Sequence, residues 1–164
     1  MTQDAVDRIA EQWAVERPDL DIGPTLVIGR LHRVAELLDQ ALRPVFAKAG
    51  LGNGDFDVLA SLRRAGPPYR LTPTELAATT MVTSGAVTKR VDRLVRDDLV
   101  ARSVSDSDGR GRVIALTDAG RKVQEELHPE HLANEDRLLA ALDETERSQL
   151  AALLSKLLVS LEDD

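Results

Sequence analysis

The 164 residues contain no cysteine. Disulfides, thiolate metal sites and thiol-based redox sensing are therefore excluded. Aromatic residues are nearly absent, at one Trp, one Tyr and two Phe. A core drawn from the 43% hydrophobic residues must be built of Leu, Val and Ala, a composition that favours helices. No apolar run approaches the ~20 residues of a membrane span. The start Met1-Thr2-Gln3-Asp4 begins no positively charged leader, so a cytoplasmic location is expected. Internal repeats and low-complexity linkers are also missing, as are a nucleophile elbow, a P-loop, a dinucleotide fingerprint and any Cys/His pair, so catalysis is not expected and no catalytic residue is assigned. Of the three histidines, His128 and His131 lie three apart beside Glu130. A zinc site needs more ligands, so these read as helix-surface histidines, with no metal or cofactor expected.

The net charge of −7 argues at first against a polyanionic partner. Its distribution argues the other way. Between Arg63 and Arg112 ten cations face six anions, a local +4 that leaves −11 for the remainder. Phosphates respond to charges within roughly a Debye length, ~8–10 Å. The centre of the chain alone suits DNA.

That centre, Leu71 to Gly120, reads as a helix-turn-helix followed by a basic hairpin. Thr72 caps a first helix, with Pro73 at its first position and Glu75 closing a capping box. The polar stretch Thr79 to Thr83 breaks it. Thr83 or Ser84 caps a second helix whose Val87, Val91, Leu94 and Val95 share one face, while Thr88, Lys89, Asp92, Arg93 and Arg96 share the other. One side of such a helix can be buried while the other offers hydroxyls and cations to a major groove. Asp98 stands where the helix must end in a left-handed residue. Val100–Val104 and Arg112–Leu116 are β-prone runs joined by a tip with Asp108-Gly109-Arg110, a wing able to enter a minor groove. Thr117 caps the next helix.

Before this region, residues 2–17 form an amphipathic helix with Ala5, Ile9, Trp13 and Ala14 on one face, followed by a turn-rich connector. Leu26 to Ala49 is a long helix, with Pro44 expected to kink or break it. Gly50 to Gly54 is a loop, and Asp55 to Arg64 is a third helix. After the wing, Asp118 to about Ala141 is helical, with a bend possible at His128-Pro129. Asp143 and Glu146 box the start of a last, leucine-rich helix. The fold class is mainly α with a small β-hairpin wing. Residues 1–50 supply an extra helix plus a dimerisation helix, 51–117 the winged helix-turn-helix, and 118–164 C-terminal dimerisation helices. The long apolar-faced helices at both ends exceed what one small winged helix covers, which points to a homodimer.

The order Leu71-Thr72-Pro73-Thr74-Glu75-Leu76-Ala77, Ser84…Thr88…Arg93-Leu94, Leu99-Val100, Asp108-Gly109-Arg110 and Leu116-Thr117…Gly120 resembles the MarR family of dimeric bacterial transcription regulators. Asp98 stands where that family usually has Gly. The resemblance implies a repressor that binds a palindromic operator in double-stranded DNA as a homodimer. The DNA-contact candidates are Ser84, Thr88, Lys89 and Arg93 on the second helix, with Arg110 and Arg112 on the wing. Plainer roles stay open for several: Ser84 as a cap, Arg93 as a paired surface charge, Arg112 as a cover for the hairpin's apolar side.

Trp13, Asp57, Arg64 seven residues on, and Arg90 in the second helix further resemble the urate-responsive subgroup of that family. There the four residues bind a purine-derived anion, and Lys89 stands where the subgroup often has Asn. An oxidised purine needs an apolar wall, a carboxylate for its ring N–H groups and a guanidinium for its charge. A citrate-like carboxylate or a phenolic anion would suit the same groups. Trp13 in a core, Asp57 as a cap and the two arginines as surface charges are the plainer readings. A winged helix that binds protein and no specific DNA is the remaining alternative.

Overall fold

Helix starts are set by local chemistry that the structure, a computed structural model, reproduces one after another. It describes residues 3–81, 84–104 and 112–163, and of residues 84–86 and 104 the backbone only. The chain divides into two units, residues 1–44 and 45–164, each described by itself.

In the first unit α1 (Ala5–Glu16) begins at a capping box in which Asp4 accepts from the backbone N–H groups of Val6 and Asp7, while Asp7 accepts from Asp4. The long helix α2 (Gly23–Ala47) starts in this unit and continues through Pro44. Arg30 of α2 donates to Asp4 at 2.8 Å and to Asp7 at 2.5 Å, tying α2 to the start of α1. The helices meet where Gly29 leaves room for Val6, since a Cβ there would lie 3.1 Å from Val6 Cγ1. Val6 and Ala10 are consequently the buried residues of α1. This corrects the face expected from the sequence, because Ile9 and Trp13 are 45% and 50% exposed.

The Asp4 carboxyl is held below the ordinary carboxylate range by the Asp7 N–H first, with Arg30 and the Val6 N–H adding to it and partial desolvation opposing it. A depressed carboxyl stabilises above its unfolded pKa, and the stabilisation is lost as pH falls through the folded value. The attachment of α1 is thus expected to loosen below about pH 4, read as a red shift of Trp13 emission before global unfolding. Emission that stays constant until the whole protein unfolds would contradict this.

The second unit holds α3 (Asn53–Arg64), β1 (Arg70–Leu71), α4 (Pro73–Thr79), α5 (Ser84–Arg96), β2 (Val100–Val104), β3 (Arg112–Leu116), α6 (Asp118–Leu138) and α7 (Glu144–Glu162). Its core gathers Val58, Leu59 and Leu62 of α3, Leu76 of α4, Val87, Val91 and Leu94 of α5, Val100 of β2 and Val113 and Ile114 of β3. The sheet order is β1-β3-β2, antiparallel throughout. Val100 pairs with Leu116 and Val104 with Arg112, the two wing strands expected. The third strand, Arg70 and Leu71 on Ala115 and Ile114, is an addition, too short for any alternation to reveal it.

The capping boxes at Thr72/Glu75 and Asp143/Glu146 are formed as expected. Donation from the Thr72 N–H, then from its hydroxyl, lowers the Glu75 carboxyl pKa. Asp98 adopts φ 55°, the left-handed stop its position requires. α6 runs through Pro129 uninterrupted. His131 is no surface histidine: its side chain is 15% exposed, and its ring lies 5.1 Å from Phe46 and 5.2 Å from Phe56. His128 remains exposed.

Thr117 links the wing to α6. Its hydroxyl donates to Asp98 O at 2.7 Å and accepts from Gly120 N at 3.0 Å. Gly120 itself presses on the backbone, where a Cβ would overlap Leu99 O. Gly120→Ala should therefore destabilise the fold by roughly 1–3 kcal/mol, checked by urea denaturation; an unchanged midpoint would contradict the close approach.

Candidate nucleic-acid interface

α5 buries Val87, Val91 and Leu94 and leaves Thr88, Lys89, Asp92, Arg93 and Arg96 exposed, the division its periodicity predicts. The helix is amphipathic because its apolar residues recur at three- and four-residue steps, so burial of one side presents the other. Arg102 on β2 donates to Asp92 at 2.6 Å and fixes the wing strand against α5. Beside that pair a cavity of about 570 Å³ is lined by Pro73, Thr74, Thr88, Arg102 and Arg112 among others. Arg112 is exposed at the start of β3. Lys89, Arg90, Arg93 and Arg96 together line a second, open hollow. The surface is a cationic face on a helix, next to a hairpin, and its chemistry suits the phosphates and base edges of a duplex.

The expected site residues other than Ser84 and Arg110 have definite places. Thr88 and Lys89 stand on the open face of α5. Arg93 is half exposed and pairs with Asp55, which is fully buried at the first turn of α3. Arg90 is half buried, and its guanidinium lies on Gly54, where a Cβ would overlap Nη1. Ser84 opens α5, and its side chain is outside the described residues, as is the whole of Arg110. Asp57 and Arg64 do share a face of α3, and both reach the same target. Asp57 Oδ2 accepts from Met81 N at 2.7 Å, while Arg64 Nη2 donates to Thr79 O at 2.9 Å and to Ser61 Oγ at 3.0 Å. The Ser61 hydroxyl also donates to Thr79 O, at 3.2 Å. α3 therefore grips the end of α4 and Met81 just beyond it. Trp13 belongs to the first unit, where it stands half exposed on α1.

Sequence reasoning passed over Asp55, Gly54 and Ser61. The only hint was Asp55 three residues after Gly52, the spacing of a helix-start carboxylate. Nothing local marks Gly54 as the bed for an arginine 36 residues downstream.

The MarR family model matches residues 49–111, from the loop before α3 to the wing. The regulator PecS of Dickeya dadantii is 41% identical over 151 residues, covering 92% of this chain and 91% of that protein. The chain belongs to the MarR family. Among solved structures, a mutant MarR from E. coli complexed with operator DNA superposes with a TM-score of 0.73 at 31% identity, covering 85% of this chain and 99% of that one. Sco3205, a MarR-family regulator of Streptomyces coelicolor in complex with DNA, superposes with a TM-score of 0.78 at 26% identity, over 87% and 89% of the two chains. This MarR-family chain is accordingly a DNA-binding transcriptional regulator similar to PecS, and not an enzyme. No helix among the described residues is long and apolar enough to cross a membrane.

Proposed function

We propose that this MarR-family regulator is a homodimeric repressor that binds a palindromic operator and is released from it by a small organic anion of the urate type. The cytoplasm follows as its location, since its target is the chromosome. Thr88, with Ser84 at the start of α5, is assigned to the base edges of the major groove, Lys89 to the phosphates flanking it, and Arg110 and Arg112 to the wing contacts. Dimerisation is supported by the exposed apolar residues of α2 and of α7, among them Val34, Leu37, Leu153 and Leu158. Sedimentation as a monomer at micromolar concentration would overturn that part.

One observation carries the effector reading. Asp57 and Arg64 both bond to the turn before α5, through Met81 N and Thr79 O. Arg90 of α5 has a buried Nη1 with no acceptor among the described residues. An anion that draws these guanidinium groups to itself competes with the bonds holding the turn. It thereby favours a form in which α5 is no longer set for the groove. Such a ligand acts only through unequal affinity for the two forms. The role of Trp13 as the apolar wall rests on the subgroup resemblance alone.

The test is anisotropy of a labelled duplex, selected from a random pool by the wild-type protein, titrated with and without urate. The expected result is binding weakened about ten-fold by saturating urate in the wild type and unaffected by it in Arg64→Ala. Tight binding indifferent to urate but weakened by citrate would replace the purine with a carboxylate. Indifference to both would remove the effector site.

A further inference from the structure

The first turn of α3 is built unlike an ordinary helix start. Asp55 occupies the third helical position, and its Oδ2 accepts from Gly52 N at 2.8 Å, the usual duty of a carboxylate there. Such a residue is normally washed by solvent, whereas Asp55 has no exposed surface. It is covered by α5, and the same Oδ2 pairs with the Arg93 guanidinium. One residue earlier, Gly54 offers bare backbone on which the Arg90 guanidinium rests, and any side chain there would collide with it. A Cβ on Gly52 would lie 3.6 Å from Arg93 Nη2. One turn of α3 thus receives two arginines spaced three apart, hence on one flank of α5. That flank lies between the buried valines and the open face with Thr88 and Lys89.

A buried carboxylate is tolerated only with its partner in place. Arg93 cannot leave Asp55 for a phosphate without stranding that charge. We propose that the Gly52–Asp55 turn is the seat that fixes the bearing of the recognition helix, with Asp55 a positioning residue for DNA binding that acts through Arg93. Arg93 then contributes by holding α5 in place, and the phosphates are met by other cations. Glycine at 54 is a condition of that seat, because only bare backbone admits Arg90.

The experiment measures affinity for the selected duplex across a salt series for the wild type, Asp55→Asn, Arg93→Gln and the double variant, with far-UV circular dichroism to confirm folding. Each single variant is expected to bind about ten-fold more weakly, and the double variant no more weakly than the worse single. The slope of log affinity against log salt is expected to match the wild type in Asp55→Asn and to change little in Arg93→Gln. Lys89→Ala supplies the contrast: a lost phosphate contact in each protomer lowers the slope by about two. Gly54→Ala, which displaces Arg90 and keeps every charge, should weaken binding with the slope unchanged, and it decides the matter if Asp55→Asn does not fold. A slope lowered by about two in Arg93→Gln, with Asp55→Asn binding as tightly as the wild type, would make Arg93 a phosphate contact and overturn the proposal. Additive losses in the double variant, or Gly54→Ala binding at full strength, would overturn it as well.

Discussion

Replacing Leu154 and Leu158 of α7 together by Glu is expected to yield a folded monomer that binds a palindromic duplex about 100-fold or more weakly than the wild type. No residue of α7 is buried within its own chain, although Leu150, Leu153, Leu154, Leu158 and Leu161 are all exposed leucines. Leucines recurring at steps of three and four make one continuous stripe. A patch of that size on an isolated subunit marks an interaction surface. Burying each leucine against a second copy is worth roughly 1.5–3 kcal/mol, and a carboxylate buried in its place has no partner. The loss at the duplex is large because the two α5 helices of the proposed dimer would share one binding event, and a monomer would forfeit the second contact. Sedimentation and duplex anisotropy on the same preparation read both consequences. A variant that stays dimeric, or a monomer with undiminished affinity, would contradict the account.

Leu94→Ala is expected to cost about 3–4 kcal/mol of stability and to take duplex binding with it at any temperature where the variant is partly unfolded. Leu94 has no exposed surface and lies in the core beneath α5 along with Val87 and Val91. Its loss leaves a cavity directly under α5, flanked by the seat that Asp55 and Gly54 provide. The opposite substitution on the same helix makes the control: Arg96→Ala, on the open face, should leave the melting temperature nearly unchanged. Thermal and urea denaturation of both variants would check this, and a Leu94→Ala protein as stable as the Arg96→Ala protein would contradict the packing described.

Features that depend on neighbours in sequence were legible, and those that depend on distant partners were not. Thr72, Pro73 and Glu75 define a helix start by themselves, as do Asp143 and Glu146, and both starts stand where the sequence placed them. The two faces of α5 follow from its periodicity, and the wing strands from β-prone runs on either side of a turn. By contrast, the buried side of α1 is decided by Gly29, which admits Val6 closely. Periodicity alone favoured the bulkier Ile9 and Trp13. β1 exists because β3 has a free edge for two residues, a fact no two-residue window can contain. His131 is enclosed by Phe46 and Phe56, which come from the far side of the helix-turn-helix in sequence.

The candidate site divides the same way. Asp57 and Arg64 were paired by their spacing on one helix face, yet their shared target, the turn after α4, is a tertiary contact. Gly52 and Gly54 read as loop residues because glycine clusters usually mark loops. In the structure Gly52 caps α3, and Gly54 lies within it under an arginine.

The central claim is that α5 docks in a major groove, twice, in a two-fold dimer. Methylation interference on the selected duplex tests it most directly, because guanine N7 faces only the major groove. The account predicts two patches of interference centred about 10 base pairs apart or a multiple of that spacing, both lost in Leu154→Glu/Leu158→Glu. A single patch in the wild type, or interference confined to adenine N3 in the minor groove, would contradict it.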